Sequence, residues 1–135
     1  MKKIKIYSLL LFVLVFIASA CSKDDETKIN NWIIGTWSID KYEQLDFEDG
    51  VLVSESESVN QGEVRFYEDG TGYDIGGNFI GEEFEWSNTD TYLILKSGGG
   101  TTTYDIESFS ETNFAFSITD RNGDDWDVER WYLSK

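Results

Sequence analysis

The sequence predicts an all-β domain: an antiparallel up-and-down meander closing into an eight-stranded barrel, preceded by a signal peptide and a short helical turn. Three observations predict it. From Trp37 onward apolar and polar residues alternate in short runs, the period of a strand with one buried face. The runs are separated at near-hairpin spacing by Gly, Asn and Asp, which suit tight turns. The chain contains no proline, and no helix-period stretch of ten or more residues follows Trp37, so ladders can run uninterrupted. Eight meandering strands must bury an apolar face and protect their edges, and closure into a barrel does both. A two-sheet sandwich is the alternative.

At the N-terminus, Lys2, Lys3 and Lys5 precede the uncharged stretch Ile6 to Ala20, which ends in Ala18-Ser19-Ala20. That is a signal peptide layout. At about 1.5 Å per residue the stretch reaches only about 22 Å, short of the roughly 30 Å hydrocarbon core that a spanning helix must cross. The domain boundaries follow as 1–20 for the signal, 21–30 for a tether and 31–135 for the barrel. Within them, Thr27 to Ile34 supplies the helical turn.

The strands follow in order. Trp37 and Ile39 alternate with Ser38 and Asp40. Val51 to Val59 places Ser and Glu at alternate positions, a strand with a strongly polar outer face. Val64 and Phe66 alternate with Glu63, Arg65 and Tyr67, and Phe84 and Trp86 with Glu83 and Glu85. Tyr92 to Leu95 is apolar on both faces, and Thr101 to Ile106 is rich in β-branched residues. Phe114, Phe116 and Ile118 line one face of another strand. In the last, Trp126, Val128, Arg130 and Tyr132 alternate with Asp127, Glu129, Trp131 and Leu133. Turn chemistry sits at 68–70, 76–78, 88–90, 98–100, 111–113 and 121–123; Asn122-Gly123 suits a type I′ turn, whose two central residues both need positive φ.

The whole chain carries a net charge of −15, and removal of residues 1–20 takes away three lysines and no acids, leaving −18. Such a domain would repel a phosphate backbone, so nucleic acid is not an expected partner. It would also stand off anionic membrane surfaces. With no histidine and a single cysteine, His or Cys metal centres and Ser-His or Cys-His nucleophiles are excluded, and no cofactor or metal is expected. Paired carboxylates are available in quantity, but acids spread over outward faces and turns read as a solvated surface, and a non-enzymatic protein is expected. Asp120 to Asp125 offers oxygen ligands at alternate positions, yet lacks the glycine and glutamate of an EF-hand loop and reads as a hairpin turn. Gly98-Gly99-Gly100 lacks the lysine and helix of a phosphate loop and reads as a flexible turn.

Ala18-Ser19-Ala20-Cys21 resembles the bacterial lipobox, with Ala18 where Leu is usual. The resemblance implies that Cys21 receives a diacylglycerol and becomes the acylated N-terminus, an effectively stable membrane anchor. Ser22-Lys23-Asp24-Asp25-Glu26 is similar to the acidic sorting tag of Bacteroidota lipoproteins exported to the outer face of the outer membrane. An ordinary solvated tether is the other reading. Trp32-Ile33-Ile34-Gly35-Thr36-Trp37 and Phe66-Tyr67-Glu68-Asp69-Gly70-Thr71 together resemble the lipocalin-like lipoproteins of Bacteroidota over roughly residues 30 to 133. That resemblance implies a barrel closed at one end by Gly35 and Trp37, with Arg130 on the last strand packed over the indole.

Aromatic residues are the feature that leans towards a ligand. Phe66, Phe84, Trp86 and Tyr104, with Phe114, Phe116 and Trp126, are the candidate lining of the barrel. An eight-stranded barrel holds either its own side chains or one small ligand. The expected function is therefore a lipid-anchored binding module for a small apolar ligand at the bacterial outer membrane. The alternative is a structural or protein-interaction lipoprotein with a filled interior, contacting an envelope protein through strand faces and loops such as 45–62 and 97–101. An enclosed cavity favours the first; a filled interior with exposed apolar residues favours the second.

Overall fold

A computed structural model of the protein describes residues 31–135, so the signal peptide, Cys21, the tether and Thr27 to Asn30 lie outside the described residues. A 3-10 turn at Asn31–Ile33 leads into nine antiparallel strands. They are β1 (Gly35–Glu48), β2 (Val51–Val59), β3 (Glu63–Phe66), β4 (Thr71–Ile75) and β5 (Glu83–Asn88), then β6 (Tyr92–Ser97), β7 (Gly100–Phe109), β8 (Asn113–Asn122) and β9 (Asp125–Ser134). The sheet runs β2-β1-β3-β4-β5-β6-β7-β8-β9, and β1 also pairs with β9. Eight strands therefore close into the expected barrel, and β2 is an extra strand outside the ring.

The length of β1 explains the ninth strand. Its first residues, Gly35 to Ser38, pair with β3; from Lys41 to Glu48 the same edge pairs with β2, while the other edge pairs with β9. Between β2 and β3 the chain bends at Asn60 and Gly62, which take φ of 55° and 104°. The bend keeps its bonds to β1: Ile39 N–H donates to Gly62 O at 2.8 Å and Gln61 N–H to Ile39 O at 2.9 Å. Only glycine fits at 62, because a Cβ there would meet Ile75 O at 2.7 Å. Beyond Ile39 the far halves of β1, β8 and β9 project past the barrel with β2 as a four-stranded ribbon.

One hairpin differs from the expected turn chemistry. In Asn122-Gly123-Asp124-Asp125 the paired residues are Asn122 and Asp125, and only Gly123 has positive φ. That is the type II′ pattern, with glycine first. Type I′ backbone occurs instead at Asp49-Gly50 and Gly98-Gly99, where both central residues have positive φ. Asp49-Gly50 is the turn that makes residues 45–62 a hairpin rather than a loop.

Inside the barrel the alternation is respected: Val64 and Phe66 on β3, Phe84 and Trp86 on β5, Leu93 and Leu95 on β6, and Phe114 and Phe116 on β8 are all buried. Register shifts between Ile39 and Lys41, so the inward face of β1 passes from Trp37 and Ile39 to Tyr42, which pairs with Trp131. Such a bulge re-aims a strand without ending it.

Candidate functional site

One end of the barrel is sealed by the residues that carry the Gly-x-Trp resemblance. The Trp37 ring is fully buried and its indole N–H donates to Ile33 O at 2.8 Å, fastening the 3-10 turn across the opening. Trp32 stacks on Phe109 and meets Phe114 edge-on, with centroids 4.3 and 5.0 Å apart. The cation over Trp37 is Lys135, 4.2 Å from the ring centroid, and not the expected Arg130. Gly35 makes room for it: the Lys135 Cε and Nζ lie 3.4 Å from where a Cβ would stand.

Arg130 is on the opposite face of β9. It pairs with Glu43 at 3.3 Å and Glu107 at 2.8 Å, and Glu43 also accepts from Lys41 and Tyr132. The hydrogen bond from Lys41, joined by those from Tyr132 and Arg130, holds the Glu43 carboxyl below its ordinary range against the opposing effect of burial. Strand parity decides the placement, because Leu133 and Trp131 face inward and so Arg130 and Tyr132 face outward.

Six of the seven expected lining residues come together in the interior, where they pack on one another. Phe66 meets Phe84 and Trp86 edge-on at 5.6 and 5.4 Å; Phe116 meets Tyr104 and Phe114 at 5.2 and 5.0 Å. These spacings are those of rings in direct contact. The Phe84 ring lies over Gly72, which has no side chain to displace it. Trp86 also donates its indole N–H to Tyr67 O and Thr71 O at 3.1 and 2.8 Å, tying β5 to the 67–71 turn.

Trp126 is the seventh and does not line the barrel. It lies half-buried on the outer face of the ribbon, stacked on Phe47 at 4.9 Å with Arg121 5.2 Å above it. The strand's two ends carry apolar residues on opposite faces. Trp131 and Leu133 take the core side because they pair with Phe116 and Phe114, and Trp126 then falls outside.

The other end of the barrel is stopped by a device the alternation did not reveal. The segment 76–82, expected as a tight turn at 76–78, is a longer loop folded around the buried carboxylate of Asp74. That carboxylate accepts from the backbone N–H groups of Gly77, Phe79 and Ile80 at 3.2, 2.8 and 3.0 Å. The wrapped loop sets Phe79 against Trp131, Phe116 and Tyr104, with centroids 4.8, 5.5 and 6.3 Å apart. Phe79-Ile80 directly after Gly76-Gly77-Asn78 was the available signal, since an apolar pair inside a turn has to be buried somewhere.

Beyond Phe79 the inner face of the ribbon turns polar. Asp46, Asp127 and Asp120 are successive cross-strand partners, and Gln44, Glu129 and Ile118 form the next row. Tyr104 beneath them has its hydroxyl pushed up to about 12, by burial first and by the Glu129 charge second. Burial and the same carboxylate also raise Tyr42. Two buried polar atoms, Trp131 Nε1 and Asp46 Oδ1, have no hydrogen-bond partner among the described residues.

On the outside of the ribbon the order is reversed. Leu52, Phe47 and Trp126 form one cross-strand row, and Leu45 and Val128 are paired in the next. Every residue of β2 is exposed, Val51 at 64% and Val53 at 51%. On the barrel wall, Tyr67, Tyr73, Glu83, Glu85 and Lys96 line a shallow open groove beside the 98–100 turn.

The fold and its surfaces define a closed antiparallel barrel whose inward aromatic rings contact one another, and a projecting ribbon whose inner face, with Gln44, Tyr104, Ile118 and Glu129, lines an open cleft. Compared with known proteins, the chain matches no family model, no curated protein and no solved structure.

Proposed function

We propose that the protein is a lipid-anchored, non-enzymatic interaction module of the bacterial cell envelope: acylated Cys21 holds it to the outer membrane, the barrel is a rigid scaffold, and the ribbon makes the contact. The observation that carries this reading is the distribution of its apolar residues. The rings that would line a ligand space contact one another and Phe79 stops the open end, whereas Val51, Leu52 and Val53 stand in solvent. Exposed apolar residues grouped on one element mark an interaction surface.

Native mass spectrometry after exposure to a lipid extract of the source cells separates this reading from a carrier of small apolar ligands. The folded protein is expected to emerge without an adduct; a retained stoichiometric adduct would overturn the filled-scaffold reading. The anchor has its own measurement. Cys21→Ser is expected to move the protein out of the membrane fraction, and unchanged fractionation would sink that part.

A further inference from the structure

The ribbon ends in a strand paired on one side only. Among the described residues β2 has β1 as its sole neighbour, and on an edge strand alternate residues turn both N–H and C=O away from the sheet. The sequence of this edge, Val51-Leu-Val-Ser-Glu-Ser-Glu-Ser-Val59, is apolar at its ends and acidic in its middle. Glu55 and Glu57 lie on one face, with Glu43 directly beside Glu57. Ser54 on the other face continues the row Asp46, Asp127 and Asp120. Lys41 reaches Glu57 at 3.7 Å, whereas Glu55 makes no ion pair among the described residues.

We propose that the free edge of β2 accepts an extended basic segment of another protein as a further strand, with Lys or Arg side chains alternating against Glu55 and Glu57. This rests on the interaction reading above and names its partner's chemistry. Charge chooses among the occupants. A second copy paired two-fold about Ser56 sets Glu55 opposite its counterpart's Glu57, and like charges directly opposed destabilise a ladder. The chain's own tether brings the consecutive acids Asp24, Asp25 and Glu26. A basic strand gains backbone hydrogen bonds along the edge and opposite charges on one face, the mode in which main-chain bonds provide affinity and alternate side chains provide specificity.

The test uses the full-length protein in detergent and three synthetic ten-residue peptides: alternating Lys and Val, alternating Glu and Val, and the Lys-Val peptide N-methylated at alternate residues. Hydrogen exchange read by mass spectrometry is expected to show at least tenfold slowing of amides in 51–59 with the first peptide alone. Glu55→Lys, at an exposed position with no ion pair among the described residues, is expected to keep its thermal midpoint and bind the Lys-Val peptide several-fold more weakly, and the double variant Glu55→Lys/Glu57→Lys, which also takes a partner from Lys41, to gain binding of the Glu-Val peptide. Equal binding of the N-methylated peptide means adsorption by charge alone and overturns strand addition. Protection that falls on the Phe47–Trp126 face instead overturns the edge while leaving the interaction reading standing. No protection with any peptide overturns the edge, and a lipid adduct in the same protein then overturns the interaction reading with it.

Discussion

Lys135 lies across the face of Trp37 with its ammonium 4.2 Å from the ring centroid, while donating to the carbonyls of Trp32 and Ile34 at 3.1 and 2.9 Å. One side chain thus ties the end of β9 to the 3-10 turn and to the residue that follows it. Replacing Lys135 with Met keeps much of the apolar stem and removes all three interactions. A loss of about 1–2 kcal/mol in urea unfolding is expected, given the usual worth of an exposed cation over an indole and of hydrogen bonds from a charged donor. Arg130→Met leaves that end untouched; if it costs as much and also perturbs the Trp32–Trp37 region, the assignment of the cation fails.

Asp74 holds the plug. Asp74→Ala leaves three backbone N–H groups of the 76–82 loop without their shared acceptor, and the expected cost is about 1.5–3 kcal/mol. The loop should loosen before the barrel does, so amides of Gly77, Phe79 and Ile80 exchange faster while those of β8 and β9 do not. Phe79→Ala removes the stopper itself and is expected to raise the binding of a hydrophobic dye above that of the unaltered protein. A variant that binds no more dye would mean the rings below close over the gap.

Alkaline stability follows from Tyr104. Its hydroxyl titrates near 12 in the folded state against an ordinary value of 10, so the folded state keeps a proton that the unfolded chain has released. The contribution is fully present below about pH 10 and declines as pH rises from 10 towards 12, by at most about 3 kcal/mol. Tyr42 and Tyr132 are raised in the same sense. In a spectrophotometric titration the Tyr104 phenolate should therefore appear together with unfolding, and Tyr104→Phe should flatten the alkaline limb. A Tyr104 that ionises near 10 in folded protein would refute the argument.

Glu43 contributes to the acid limb. Its carboxyl is held low by the hydrogen bond from Lys41 and then by Tyr132 and Arg130, so the folded state releases that proton more readily than the unfolded chain. This contribution is present above the ordinary glutamate value of 4.5 and is lost as pH falls below it. Glu43→Gln should lower stability at neutral pH and weaken its dependence between about pH 5 and 3. An unchanged acid limb would show that the four-residue cluster is solvated.

Close packing makes Gly72 intolerant. A methyl group there would run into the Phe84 ring and Arg65 O. Gly72→Ala is expected to cost about 1–3 kcal/mol by overpacking, and Gly72→Ala/Phe84→Leu to recover part of it. No recovery would place the strain at the Arg65 carbonyl.

How legible the molecule was depends on the kind of signal. Val64 and Phe66, or Phe84 and Trp86, announce an inward face because each alternates cleanly with Glu or Arg, and the all-β barrel follows from repeating that pattern. Trp126 falls outside the barrel because β9 carries large apolar residues on both parities, and only pairing with Phe114 and Phe116 selects between them. Lys135 and Asp74 were illegible for a different reason. Each acts through backbone carbonyls or amides brought near by the fold, and no local spacing encodes such a meeting. Asp49-Gly50 is legible by contrast, since an Asp-Gly pair ahead of an apolar run suits a type I′ turn.

The closure of β1 on β9 also sets the order of events when the chain folds. Phe47 meets Trp126 and Ser38 meets Ser134, partners roughly eighty to ninety-five residues apart. Contacts so distant are made late, because the loop entropy must be met before they reward it. A nascent chain can form the β3–β4 or β6–β7 hairpin early, but the ring stays open until β9 has been synthesised.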